Sequence, residues 1–298
     1  MTGILMMSVG NSYGSLPINT VAPVVSGTAT VGSTLTTTNG TWTGAPAPTF
    51  TYQWQRAGSN IGGATSSTYV LVTADGGNTV RCVVTATNAV GAVNANSNGI
   101  SIIPAIGQAY AGGFFAGQIS TTANGVATHN LVVAPLSSGQ SQLQWKTTNT
   151  STSGTSSVID GPTNSANMNN ASHPAAQFCE GLSIGGFSDW YSPALNELEV
   201  VYFNLKPGTS SNNTSSGINT NAVPSRGSNY TSGTPSQTSA TAFRTGGSEA
   251  LTSGADYWSS TEVSATAAWS QNFQDGFQWN GGGKTLQANI RAIRRVAI

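Results

Sequence analysis

Charge is what this 298-residue sequence has least of. Asp, Glu, Lys and Arg make up 7% of it, against roughly a quarter in ordinary soluble domains. The ten acidic and ten basic residues cancel. Nucleic-acid binding needs clustered Lys and Arg to meet phosphates, so no nucleic-acid partner is expected. The one basic cluster, Arg291, Arg294 and Arg295, reads as a final strand whose arginines reach solvent or buried carboxylates. Cysteine is almost missing as well. Cys82 and Cys179 cannot staple a scaffold and read as small buried hydrophobes. No apolar run is long enough to span a bilayer, so membrane insertion is not expected. The opening MTGILMMSVGNSYG lacks the basic start and small-residue cleavage site of a signal peptide.

Glycine, Ser, Thr and Asn are abundant instead, with 36 glycines alone. Solubility then rests on uncharged hydrogen-bonding side chains, and the usual electrostatic defence against self-association is weak. Such a chain suits an exterior assembly and is compatible with homo-oligomers, although no heptad sets a number.

Four segments are expected. Residues 1–16 hold an apolar head, Ile4 to Met7, read either as a frayed terminus or as an attachment segment that docks on other virion proteins. Residues 17–103 carry short Val/Thr/Tyr-rich runs between Gly and Asn turn signals, the spacing of a β-sandwich. Tyr52, Trp54 and Arg56 share one face by the two-residue period, and Cys82 shares the Val80/Val84 face of a second central strand. Residues 104–109 form a short linker. Residues 110–298 mix strand-like pieces with two helical patterns, Ala171 to Leu182 and Pro193 to Phe203. The latter places Leu195, Leu198, Val201 and Tyr202 on one stripe. The tract 207–248, rich in Ser, Thr, Asn and Gly, is long enough to be functional or mobile.

Two resemblances follow from these motifs. Gly40-Thr41-Trp42, Tyr52-Gln53-Trp54, Gly63-Ala64-Thr65, Asp75-Gly76 and Cys82-Val83-Val84-Thr85-Ala86 resemble the bacterial and phage immunoglobulin-like repeat. That resemblance implies a sandwich in which Leu35 takes the place of a second cysteine, so that Cys82 packs unpaired against Trp54. Gly186-Phe187-Ser188-Asp189-Trp190-Tyr191, Pro193 to Glu199, Tyr257 to Glu262, Ala268-Trp269 and Ile290 to Arg294 resemble the C-type-lectin-like domain of phage tail proteins and of some collagen-like adhesins. The fold class implied is an all-β immunoglobulin-like sandwich followed by an α+β C-type-lectin-like domain.

The motifs of catalysis are not found. His129 and His173 neighbour no nucleophile elbow, and two Cys and two His far apart do not make a zinc set. Gly281-Gly282-Gly283-Lys284-Thr285 lacks the first glycine of a phosphate loop and reads as a hairpin tip. Glu197 and Glu199 diverge on a helix, so paired-carboxylate hydrolysis is not expected. Asp189 reads as a cap for a helix or for local amides. Calcium could reach only Asp275 or Glu262 and lacks further ligands; no cofactor is expected.

A recognition surface remains. Glu262, Asn272, Gln274, Asp275, Gln278, Trp279, Asn280 and Lys284 combine an aromatic anchor with amides able to hydrogen-bond a ligand. Trp190 and Trp258 read as core; Trp269 and Phe273 share one strand face. The expected function is a phage virion structural protein of tail or fibre type, binding a host-surface receptor or glycan. The alternative is a capsid or tail decoration protein with a purely structural role.

Overall fold

The computed structural model describes residues 14–298, which separate into two compact units, one ending at Ala105 and the other beginning at Ile106. Most of the attachment segment read for residues 1–16 therefore lies outside the described residues, while Ser15 and Leu16 open the first strand.

The first unit is all β. Thr49–Arg56 and Thr79–Asn88 pair antiparallel over their whole length, and Ser59–Asn60, Gly91–Asn96 and Ile100–Ser101 complete a five-stranded sheet. Val25–Ser26, Thr34–Thr37 and Thr68–Val70 form a three-stranded sheet, and Ser15–Val21 with Thr41–Ala45 a two-stranded ribbon. The register puts Trp54 directly opposite Cys82. Both are sealed from solvent with Leu35, Val80 and Val84 in one core, and Cys82 is a free thiol. Tyr69 stacks on Trp54 at 5.5 Å, and the Trp54 indole donates to Ser66 O at 2.8 Å. Asp75, fully buried, accepts from Arg56 Nε (2.7 Å), Tyr69 OH (2.9 Å) and the Val72 amide (2.7 Å). A buried carboxylate needs such partners, because leaving its charge bare in a core is costly.

The residues read as a linker do not behave as one piece. Pro104 and Ala105 end the first unit, whereas Gly107 N donates to Phe115 O and Phe115 N to Gln108 O within the second.

The second unit holds two five-stranded sheets. One contains Ala109–Tyr110, Gly113–Ile119, His129–Val133 and Ile293–Ala297, with Ala222–Val223 added beside Gly113–Ile119. The other runs Gln140–Gln144, Gln287–Arg291, Asp256–Glu262, Ala267–Asn272, Gln278–Gly283, so the last of these is an edge. The final strand expected around Arg291, Arg294 and Arg295 is two, Gln287–Arg291 and Ile293–Ala297. It changes sheets at Ala292, whose carbonyl accepts from Ala134 N and whose amide donates to Gly139 O. The helix Leu195–Leu205 begins where Glu197 reaches back to the Ala194 amide at 2.8 Å. Leu195, Leu198, Val201, Tyr202 and Leu205 are buried, as the spacing requires. The helix lies against Gly113–Ile119 at Gly117, where φ is +130° and a Cβ would stand 2.3 Å from Asn204 Nδ2, so no larger residue fits there.

The expected fold class is overturned. Strand makes up 38% of the chain and helix 12%, and sheets run through both halves. The C-terminal half is not an α+β lectin-like domain. The helical pattern over Ala171 to Leu182 yields only Pro174–Glu180, opened by proline in its first turn. Beyond the two expected segments, the described residues of this half add the short helices Leu136–Gly139 and Gly161–Asn167 and the 3-10 turn Thr241–Phe243. The pattern-based reading gave too much weight to two short amphipathic stretches within a mainly β framework.

Candidate functional site

Six of the ten cations pair with six of the ten carboxylates, and every pair has at least one partner largely out of solvent. The C-terminal arginines illustrate this. Arg291 reaches Glu249, Arg294 forks onto Asp189 at 2.7 and 2.8 Å, and Arg295 reaches Glu197 at 2.7 Å. Asp189 is thus an arginine partner rather than a helix cap, and the Arg294 fork holds its carboxyl below the usual range. Glu197 also accepts the Tyr191 hydroxyl, and burial pushes its carboxyl up against the pull of Arg295 and that hydroxyl. Glu197 and Glu199 diverge as expected: Glu199 takes Asn219 Nδ2 (2.6 Å), Tyr230 OH (2.7 Å) and Arg226 Nη2.

This internal use of charge divides the expected recognition residues. Glu262 and Lys284 are not surface ligands. They form an ion pair with Lys284 fully buried, its ammonium 4.6 Å above the Trp145 ring and donating to Thr150 O. Burial lowers the Lys284 ammonium and Glu262 opposes the shift. Glu262 is completed by the Thr152 amide and the Thr155 hydroxyl. The hairpin-tip reading fails because the chain turns inward after Gly283, where the Lys284 amide donates to Thr266 O.

The other six stay together around the turn and edge strand that follow Ala267–Asn272. Asn272 is half-buried, donates to Asp256 Oδ1 at 2.9 Å and accepts the Gln274 amide. Asp275 accepts the Phe277 amide at 3.0 Å, which closes the turn. Gln278 is tied to the 207–248 tract: its backbone amide donates to the Ser216 hydroxyl and its Oε1 accepts from Gly217 N. Gln274, Trp279 and Asn280 are exposed. Trp279 is 41% accessible and Phe277, which adjoins it, 39%. Trp258, Ser270 and Trp279 lie in one row across the sheet, the first buried and the last at the rim. The Trp279 indole lies over Gly281, where a Cβ would stand 2.7 Å from its Nε1. Trp190 and Trp258 are core as read; Phe273 is buried too, whereas Trp269 is only half-buried.

Sequence reasoning missed the organisation of the 207–248 tract. Lys206 Nζ, itself buried, donates to Ser210 O, Asn212 Oδ1 and Pro235 O, and Asn212 Nδ2 donates to Pro235 O and Thr231 O. These bonds hold the tract as ordered coil rather than a mobile loop. They also build a cleft of about 350 Å³ beside Phe203, Arg226 and Tyr230. The only signal was the run of Asn residues, whose side chains replace secondary structure in satisfying the backbone.

Residues 137–294, more than half of the sequence, match the family model of the Lcl C-terminal domain. The chain belongs to the Lcl C-terminal domain family. The matched segment contains the helix Leu195–Leu205, the Trp279 edge and the arginines through Arg294. It assigns the second unit to that family in place of the C-type-lectin-like domain, and it gives no sign of phage origin. No curated protein sequence matches the chain. Among solved structures, a fimbrial protein from Bacteroides ovatus ATCC 8483 aligns with a TM-score of 0.39 at 12% identity, covering 92% of this chain and 70% of that one.

Proposed function

We propose that this protein is a non-enzymatic recognition component of an exterior particle, a virion tail or fibre in our reading, whose Lcl C-terminal domain contacts a host-surface receptor or glycan through the Trp279 edge. One observation carries this reading. In a unit that turns its scarce charge inward, Trp279 and Phe277 remain accessible beside exposed amides, Gln274 and Asn280. Aromatic faces stack on sugar rings, and neighbouring amides hydrogen-bond hydroxyls without needing a charged ligand. An edge fixed to the 207–248 tract through Gln278 presents those groups with less entropy to lose on binding.

The test is adsorption of the purified full-length protein to host cells and to an array of neutral and anionic glycans. Trp279→Ala should remove binding while the melting temperature stays unchanged. Undiminished binding by that variant, or normal adsorption of particles lacking the protein, would overturn the reading.

A specific observation favours a second reading, that of a structural decoration protein. Leu16, Ile18 and Val21 on the strand Ser15–Val21 are 47%, 60% and 57% exposed. Such a row suits burial against a neighbouring subunit. Particles that assemble poorly with Ile18→Asp yet adsorb normally would favour it.

A further inference from the structure

The cleft beside Phe203 is a second place where unmatched chemistry faces an opening. Arg226 lies with its guanidinium carbon 4.0 Å from the Phe203 ring centre. Tyr230 is tilted against the same ring at 6.3 Å. Arg226 is held on both sides, since its backbone exchanges two hydrogen bonds with Asn219 and its Nη2 donates to Glu199. Glu199 is in turn saturated by Tyr230 and Asn219. The arginine is nevertheless incompletely used. Its Nε–H is buried and has no hydrogen-bond partner among the described residues; 14% of its side chain stays accessible, and the residue lines the cleft. A buried donor without an acceptor is rare and calls for a ligand or a role.

We infer that this cleft is a subsite for a neutral N-acetylated sugar, with the acetamido group against Arg226 and Phe203. Three features select that class. The Arg226 charge is already balanced by Glu199, so an anionic ligand would meet an ion pair rather than a free cation. A guanidinium N–H next to aromatic faces suits an amide carbonyl with a methyl group beside it. The mouth, formed by Ser228, Asn229 and Thr234 among others, offers hydroxyl and amide groups to ring hydroxyls. The volume, about 350 Å³, admits one sugar residue and falls at the small end of ligand pockets. Seating the carbonyl on Nε requires the exposed turn Gly227–Asn229 to ease outward. The choice of a sugar rests on the recognition reading above; the site is separate from Trp279.

The experiment is saturation-transfer NMR on the full-length protein with the methyl glycosides of N-acetylglucosamine, glucose and glucuronic acid. The acetyl methyl should give the strongest transfer. The N-acetylated glycoside should bind about tenfold or more tighter than the glucoside, because a site built around a hydrogen bond rejects the ligand that lacks it. Arg226→Lys should weaken binding at least as much. Since that variant can loosen the fold, Ser228→Trp at the exposed mouth serves as a second one; it should abolish transfer with the melting temperature unchanged. Equal affinity for glucoside and N-acetylated glycoside, preference for the glucuronide, or transfer that survives Ser228→Trp would overturn the inference. If cell binding is lost in Trp279→Ala while acetyl transfer is absent in wild type, this inference fails and the recognition reading stands. If wild type binds neither cells nor sugars, both fail.

Discussion

Arg295 Nε donates to Glu197 at 2.7 Å across the second unit, joining the strand Ile293–Ala297 to the first turn of the helix Leu195–Leu205. Neither partner has an alternative in water, because Glu197 is fully buried and Arg295 nearly so. Removing one member leaves the other as an unpaired buried charge. Arg295→Met should therefore cost about 3–5 kcal/mol, measured by urea denaturation. The double variant Arg295→Met/Glu197→Leu should recover part of that loss. A single-variant cost below ~1 kcal/mol would contradict the arrangement.

Lys206 makes a second prediction. Its ammonium fills a cage of Ser210 O, Asn212 Oδ1 and Pro235 O, the kind of oxygen set a hard cation would otherwise occupy. Lys206→Met removes one donor from each oxygen, leaving Pro235 O with Asn212 Nδ2 and Asn212 Oδ1 with the Tyr202 hydroxyl, at about 1–3 kcal/mol. Hydrogen exchange should rise across residues 208–239 before the sheets are affected, whereas a chelator should leave the wild-type protein unchanged. Protection of the tract retained in Lys206→Met would show that other contacts order it.

A third concerns pH. His173 is buried between Thr152 and Asn170, with its Nε2 2.8 Å from the Thr152 hydroxyl and its Nδ1 2.9 Å from Asn170 Oδ1. Burial, with Lys146 and Lys284 nearby and only Glu262 opposing, lowers its pKa from 6.5 to about 4. The unfolded chain thus binds the proton more readily than the folded one. Stability from neutral His173 is complete above pH 6.5 and is lost as pH falls toward 4, at most about 3 kcal/mol in all. Glu197, raised by burial, slopes the other way just above its ordinary value. The measure is therefore the difference between wild type and His173→Gln in melts from pH 7.5 to 4. A variant curve parallel to the wild-type one would refute the assignment.

The row of tryptophans gives a fourth. Trp258 is 2% exposed and donates its indole N–H to Leu143 O at 3.0 Å, whereas Trp279 at the rim is 41% exposed. Trp258→Ala should cost about 3–5 kcal/mol, as large-to-small changes in a core do. Trp279→Ala should stay within about 0.5 kcal/mol. Equal costs in thermal melts would mean that Trp279 is packed rather than presented.

These contrasts mark what the sequence could tell. Alternation gave the strand faces of Trp54 and of Cys82, the immunoglobulin-like resemblance implied their contact, and the two pair on adjacent strands; the helical spacing from Leu195 to Tyr202 marks a real helix. The arginine cluster reads as reaching solvent or buried carboxylates: Arg295 meets the fully buried Glu197 and Arg291 the mostly buried Glu249, whereas Arg294 meets the exposed Asp189. Lys284 was misjudged because a lysine after three glycines resembles a solvent-facing turn. Its partner Glu262 lies 22 residues away and carries no local signature. The α+β expectation failed for a related reason. Periodicity reveals helices well but cannot weigh them against strands whose pairing is set by distant segments. The 207–248 tract was unreadable because amide side chains, not a repeat, hold it.

The crossover at Ala292 has a bearing on synthesis. Gln287–Arg291 closes one sheet and Ile293–Ala297 the other, so both sheets of the second unit stay open until this stretch has left the ribosome. Strands made up to 168 residues earlier (His129 against Ala297) must wait with unpaired edges, the state most prone to mispairing between nascent chains. The second unit therefore completes both sheets only once this stretch is available, whereas no pairing among the described residues of the first unit waits on so late a segment.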